Sequence, residues 1–191
     1  MQYPLRGKTA LITGGSRGIG RAIALGLATQ GATVVIGYLK NEDRAREVVK
    51  TIADAGGKAA AVKADLSRPT EVTRLFDESE QTVGALDVVV ANAADIIVKP
   101  LVDCSEKDYD RIFNTNTKGV FFTLKEAAGR LNDGGRIMPC QQGAPRCFSP
   151  TNRFTSAAKA PSSSSSAHYP GSSQGVASPS TRSPRALPTQ T

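Results

Sequence analysis

A glycine-rich turn set between an apolar strand and an alanine- and leucine-rich helix constrains this chain more than any other feature. Residues 8–13 (Lys-Thr-Ala-Leu-Ile-Thr) read as a short buried strand, and residues 19–30 as a helix stopped by Gly31. Between them runs Thr13-Gly14-Gly15-Ser16-Arg17-Gly18-Ile19-Gly20. Glycine has a separate task at three of these positions. Gly14 permits the tight turn, Gly18 lets the backbone come close to an anion, and Gly20 lets helix and strand pack closely. The unpaired N–H groups at the helix start, with the helix dipole behind them, favour a pyrophosphate there.

The rest of the pattern continues this beginning. Residues 32–38 read as a second strand. Asn41 can cap a helix running to about residue 55, which Gly56-Gly57 ends. A third strand covers 58–64, and Ser67-Arg68-Pro69 opens a helix to about residue 83 with proline near its first turn. A fourth strand covers 86–91. Ser105 begins a helix with Glu106 and Asp108 in its first turn, continuing to about residue 131, and a fifth strand starts at 135–138. Strands alternating with long helices predict an α/β chain: a Rossmann-like, doubly wound parallel sheet with right-handed crossovers, truncated after about five strands.

Beyond Pro139 the alternation stops. Ser162–Ser166 is a serine run, and residues 161–191 are dominated by Ser, Pro, Gly, Thr and Ala. Such a composition cannot bury enough apolar surface to offset its ordering entropy, so this tail is expected to be disordered. The expected organisation is a dinucleotide-binding domain over 1–138, a degenerate catalytic segment over 139–160 and a disordered tail over 161–191. The net charge of +7 does not point to nucleic acid, because its location is uneven. Residues 134–191 hold no Asp or Glu but carry Arg136, Arg146, Arg153, Lys159, Arg182 and Arg185, which supply +6 of the +7. No apolar run approaches a membrane span, and the first residues lack the basic-then-apolar order of a signal peptide, so the cytoplasm is the default compartment. Cys104, Cys140 and Cys147 form neither a metal-type pair nor a disulfide framework.

The spacing T-G-x-x-x-G-I-G resembles the short-chain dehydrogenase/reductase family. Further motifs follow in that family's order. Ala64-Asp65-Leu66 resembles its adenine-contacting acid, and Asn92-Ala93-Ala94 its Asn-Ala-Gly turn, with Ala94 in place of the glycine. Asn116 resembles the Asn that supports a catalytic water, and Gly135-Arg136-Ile137 the start of strand five. The resemblance covers residues 5–138. It implies cofactor contacts from Gly14, Ser16, Arg17, Gly18, Ile19, Gly20, Tyr38, Lys40, Asp65, Leu66, Asn92, Ala93 and Ala94. Each polar member also has a plainer reading: Asp65 as a cap on the approach to a helix, Asn92 as a tie at a strand end, Asn116 as a satisfied interior amide.

Dinucleotide sheets that take NAD place an acid at the end of strand two, to accept from the ribose hydroxyls. Here the segment is Gly37-Tyr38-Leu39-Lys40-Asn41, without an acid. Arg17 and Lys40 can both approach a ribose 2′-phosphate, and the planar donor fork of Arg suits phosphate. NADP(H) is therefore expected over NAD(H).

In the family, by resemblance, a Ser–Tyr–Lys set moves the proton while the cofactor carries hydride. Counting back from Lys159 by the family's spacing puts the Tyr position at Thr155 and the Ser position at Gln142. An aliphatic Thr hydroxyl is too weak an acid and too short for the role. Residues 153–162 can be encoded so that a frame read two bases later gives Leu-Tyr-Ile-Gly-Ser-Lys-Gly-Ala-Val, with Tyr and Lys at the family spacing. The acid-free, serine-rich tail is consistent with such a change of frame after codon 138. The resemblance implies an NADP(H)-dependent oxidoreductase acting on a small-molecule carbonyl or alcohol, nearest to the 3-oxoacyl-carrier-protein and polyketide-type ketone reductases, a family often homo-oligomeric. Gln142 and Thr155 imply that this chain is catalytically impaired. The alternatives are a non-catalytic nucleotide-binding or interaction protein and an unstable truncated fragment.

Overall fold

Alternating small and branched apolar residues decide how the strands sit. In the computed structural model, which describes residues 3–140, β1 (Thr9–Thr13), β2 (Thr33–Tyr38), β3 (Lys58–Lys63), β4 (Val88–Ala91) and β5 (Arg136–Pro139) form one parallel sheet ordered β3-β2-β1-β4-β5. Successive side chains point to opposite faces. Ala10, Ile12, Val34 and Ile36 meet α1 (Gly18–Thr29) and α2 (Glu42–Asp54) through Ala24, Ala45, Val48 and Ile52. Leu11, Val35 and Val89 meet the other layer, α3 (Pro69–Val83) and α5 (Val120–Arg130), through Val72, Leu75, Phe76 and Ala127. Both faces of the central strands are thus buried, as a parallel sheet requires. The chain winds outward from β1 through β2 to β3, then returns to β1's other side with β4 and β5. The direction reverses between β1 and β4, and a crevice opens there beyond the carboxyl ends of the strands.

Two local expectations need correction. Asn41 stands at the N-cap of α2, but its side chain accepts no capping hydrogen bond; Glu42 and Asp43 in the first turn complement the helix dipole instead. The helix expected over 105–131 is interrupted. α4 (Glu106–Phe113), with a full capping box between Ser105 and Asp108, passes into a wide π turn over Asn114–Gly119 before α5 begins. The cause is tertiary. The Asn116 side chain is pulled to the backbone of Asp95, and Gly119 lies so close to the Leu66 carbonyl that a Cβ would sit 2.6 Å from its oxygen. Among the described residues, no helix is long and apolar enough to cross a membrane, and no cluster of side chains could hold a metal ion.

Candidate functional site

The crevice at the β1/β4 reversal is a cleft of about 650 Å³. Its floor is the turn between β1 and α1. Gly14 has φ +68 and Gly18 φ +54, backbone conformations that favour glycine. The three glycines stand in different surroundings. A Cβ on Gly14 would lie 2.9 Å from the Ala93 Cα, and one on Gly20 only 2.4 Å from the Gly14 carbonyl oxygen. A Cβ on Gly18 would meet nothing, so its backbone faces open space at the start of a twelve-residue helix. Sequence reasoning missed Gly15, whose Cβ would run into Ile36 at 2.6 Å. The adjoining apolar strand was the only signal for it.

Thr13 locks this turn to the end of β4, and it too was passed over. Its hydroxyl donates to the Val90 carbonyl (3.3 Å) and accepts the N–H groups of Asn92 and Ala93, both at 3.0 Å. Asn92 completes the lock: its Nδ2 donates to the carbonyls of Thr13 (3.0 Å) and Gly14 (3.2 Å). Asn92 therefore ties two strand ends together, the plainer of its two readings, while also lining the cleft beside Ala93 and Ala94. Asp65 likewise serves as a local cap. Its Oδ1 accepts from the Ser67 N–H (3.1 Å) and hydroxyl (2.7 Å), and it lines the cleft together with Leu66. Ser16, Arg17, Ile19, Tyr38 and Lys40 border the same space, so every expected cofactor-contacting residue except Gly20 lies on its wall. Gly20 sits beneath, where helix and strand meet.

Asn116 is buried within the π turn. Its Oδ1 accepts the Asp95 N–H at 2.7 Å and its Nδ2 donates to the Asp95 carbonyl at 2.9 Å. This is the satisfied interior amide, yet the pairing also fixes the loop that leaves β4 at the cleft's edge. The Asp95 carboxylate receives Nε (2.5 Å) and a terminal nitrogen (2.9 Å) of Arg111, from the end of α4. Burial would raise the Asp95 pKa, but the hydrogen bonds from Arg111 and the Ile96 N–H, with the charges of Arg111 and Lys40, outweigh it and hold the carboxyl below its ordinary value. Asp95 and Arg111 both line the cleft, and nothing in the linear sequence pairs them.

The charge on the wall is uneven. Arg17, Lys40, Arg44 and Arg111 face two carboxylates, Asp65 and Asp95. Arg111 is engaged by Asp95, whereas Arg17, Lys40 and Arg44 have no ion-pair partner among the described residues. Arg44 was not foreseen; it enters from the first turns of α2, five residues after Leu39, and only the packing of that helix brings it back to the strand end. A glycine cradle without side-chain obstruction, a helix start and three uncommitted cations suit a phosphate-bearing ligand. Gln142, Thr155 and Lys159 lie outside the described residues.

Residues 8–160 match the family described as short chain dehydrogenase. Hydroxynaphthalene reductase-like protein Arp2 of Metarhizium anisopliae is 49% identical over 134 residues, which is 70% of this chain and 50% of that protein. A short chain dehydrogenase from Burkholderia cenocepacia J2315, solved in complex with NADP, is 42% identical with a TM-score of 0.68, over 71% of this chain and 55% of that one. A blue fluorescent protein from a metagenomic library, in complex with NADPH, is 35% identical with a TM-score of 0.67, over 71% and 56% respectively. The chain spans about half the length of the curated relatives it matches.

Proposed function

The chain belongs to the short-chain dehydrogenase family, and from that premise we propose that it binds NADP(H) in preference to NAD(H) in the β1/β4 cleft, as the cofactor domain of a carbonyl reductase or alcohol dehydrogenase. The observation that carries the reading is the charge at the end of β2. Lys40 and Arg44 stand there, Arg17 lies in the glycine turn, and the strand-end segment 37–41 holds no acid to accept from ribose hydroxyls. NADP complexes among similar structures support it. The chemistry such a cofactor supplies is hydride transfer to or from a carbonyl carbon. The chain's own part is to hold the pyrophosphate on the N–H groups of the turn, with Ser16, Gly18 and Ile19 around it, and to set Tyr38, Asp65 and Leu66 along the adenosine half. Ala93 and Ala94, small side chains on the far wall, leave it width.

Gln142 and Thr155, at the positions where the family carries Ser and Tyr, favour a second reading for the chain as written: a nucleotide-binding protein without turnover. The two readings share the cofactor and differ in proton transfer. Calorimetric titration of the full chain with NADPH and with NADH tests what they share. NADPH is expected to bind more tightly, and Arg17→Ala to weaken NADPH alone by roughly 1.5–3 kcal/mol, the scale of a charge-assisted hydrogen bond. Equal or reversed affinities would remove the argument from the missing acid.

A further inference from the structure

We propose that Arg111 is a determinant of cofactor preference that acts through Asp95, by cancelling a carboxylate that would otherwise face the 2′-phosphate region of the cleft. The inference rests on the cofactor reading above. Asp95 and Arg111 border the same cleft as Arg17, Lys40 and Arg44. Both carboxylate oxygens of Asp95 are occupied by Arg111, and Oδ1 also accepts the Ile96 N–H at 2.8 Å. The charge of Lys40, which lines the same cleft, already acts on Asp95. The segment cannot simply swing away, because Asn116 grips the Asp95 backbone from both its N–H and its carbonyl. With Arg111 in place the cleft presents three uncommitted cations against Asp65, whose Oδ1 is held by Ser67. Without it, a full negative charge stays at the rim. That charge would engage Lys40, repel a 2′-phosphate dianion and accept hydrogen bonds from the ribose hydroxyls of NAD. The arrangement would place the missing acid of β2 at the end of β4, silenced by a neighbour.

The test is the ratio of NADPH to NADH affinity in the full chain, measured by calorimetry for the wild type and three variants. Arg111→Ala is expected to lower the ratio by roughly three- to tenfold, the effect of one unmasked charge several ångströms away in a partly hydrated cleft. Adding Asp95→Asn to Arg111→Ala should restore the wild-type ratio. Asp95→Asn alone, which releases Arg111 as a fourth free cation, should raise it. A merely structural role for the pair would weaken both cofactors together and leave the ratio unmoved, and that outcome overturns the inference. If Arg111→Ala does not fold, Asp95→Asn still decides: an unchanged ratio sinks the proposal. A wild-type chain with no preference sinks the cofactor reading and this inference with it, whereas a preference that survives every substitution sinks the inference alone.

Discussion

Glycines 18 and 20 stand two residues apart on the same turn in opposite surroundings, one open and one tightly packed. An alanine at Gly20 drives its Cβ into the Gly14 carbonyl and the Asn92 amide, at 2.4 and 2.5 Å, both parts of the lock between β1 and β4. Neither is the loose end of a flexible side chain. Gly20→Ala is therefore expected to destabilise the fold by about 1–3 kcal/mol, the scale of overpacking, read as a lower urea midpoint. An alanine at Gly18 meets nothing, so its folding cost is limited to the left-handed backbone, about 1 kcal/mol. Its added methyl faces the open cradle, and dinucleotide affinity should fall by more than stability does. A Gly18→Ala variant that loses more stability than Gly20→Ala, or that binds dinucleotide as the wild type does, would mean that the turn is not divided in this way. The close packing at Gly20 was legible in the sequence because it follows from spacing within one strand-turn-helix unit, and the same spacing underlies the proposed role of Gly18. The roles of Thr13, Gly15, Arg44 and the Asp95–Arg111 pair were not legible. Each depends on which residue of a distant element arrives opposite, and no local pattern carries that information.

Elements show the same boundary between local and tertiary causes. The strands and the first three helices were readable because burial on both faces leaves continuous apolar runs, and because Gly and Pro stand at the helix ends. The π turn was not readable: the sequence from Glu106 to Arg130 carries no proline, a lone Gly119 does not by itself end a helix, and the interruption comes from Asn116 and Gly119 meeting Asp95 and Leu66. At the end of the sheet away from the cleft, Asp87 joins three elements. It accepts from the Thr9 N–H (2.9 Å) and from Lys8 (2.9 Å) before β1, and from Asn132 (3.2 Å) ahead of β5. Burial would raise its pKa, but these hydrogen bonds and the Lys8 charge hold the carboxyl below its ordinary value. A depressed folded pKa gives stability that is present above the unfolded value near 4 and is lost as pH falls through the folded one. The urea midpoint should thus decline on acidification below about pH 4, and decline less in Asp87→Ala. That variant should lose roughly 1–3 kcal/mol at neutral pH, because the Thr9 N–H is left without its acceptor, yet bind NADPH as the wild type does. An acid profile indistinguishable from the wild type would show that other carboxylates govern it.

At the scale of the whole molecule, holding a cofactor and turning over a substrate are separable properties, and the proposed function assigns this chain the first. The described lining of the cleft lies within residues 14–115, whereas the family spacing, counted back from Lys159, would put the proton-transfer set at Gln142, Thr155 and Lys159, and on that count we propose that only Lys159 keeps the family's residue. This proposed deficit rests on sequence spacing alone, since Gln142, Thr155 and Lys159 lie outside the described residues. The full 191-residue chain is accordingly expected to bind NADPH but to show no measurable NADPH-dependent reduction of a panel of ketones. A reductase of this design needs an acid to deliver a proton to the developing alkoxide and a hydroxyl to polarise the carbonyl. Their removal costs about 10²–10⁴ and about 10²–10³ in rate, respectively. Thr155→Tyr alone should not restore turnover, because Gln142 would remain and because the chain matches only half the length of its curated relatives. A version in which the frame after codon 138 is shifted, so that Tyr and Lys regain the family spacing, should restore it. A stopped-flow or steady-state assay at saturating NADPH separates the cases. Binding without turnover in the chain as written, with turnover in the shifted version, supports the division between cofactor domain and catalytic segment. Clear turnover by the unmodified chain would overturn it and direct the search for a proton donor to Tyr109 and Tyr169.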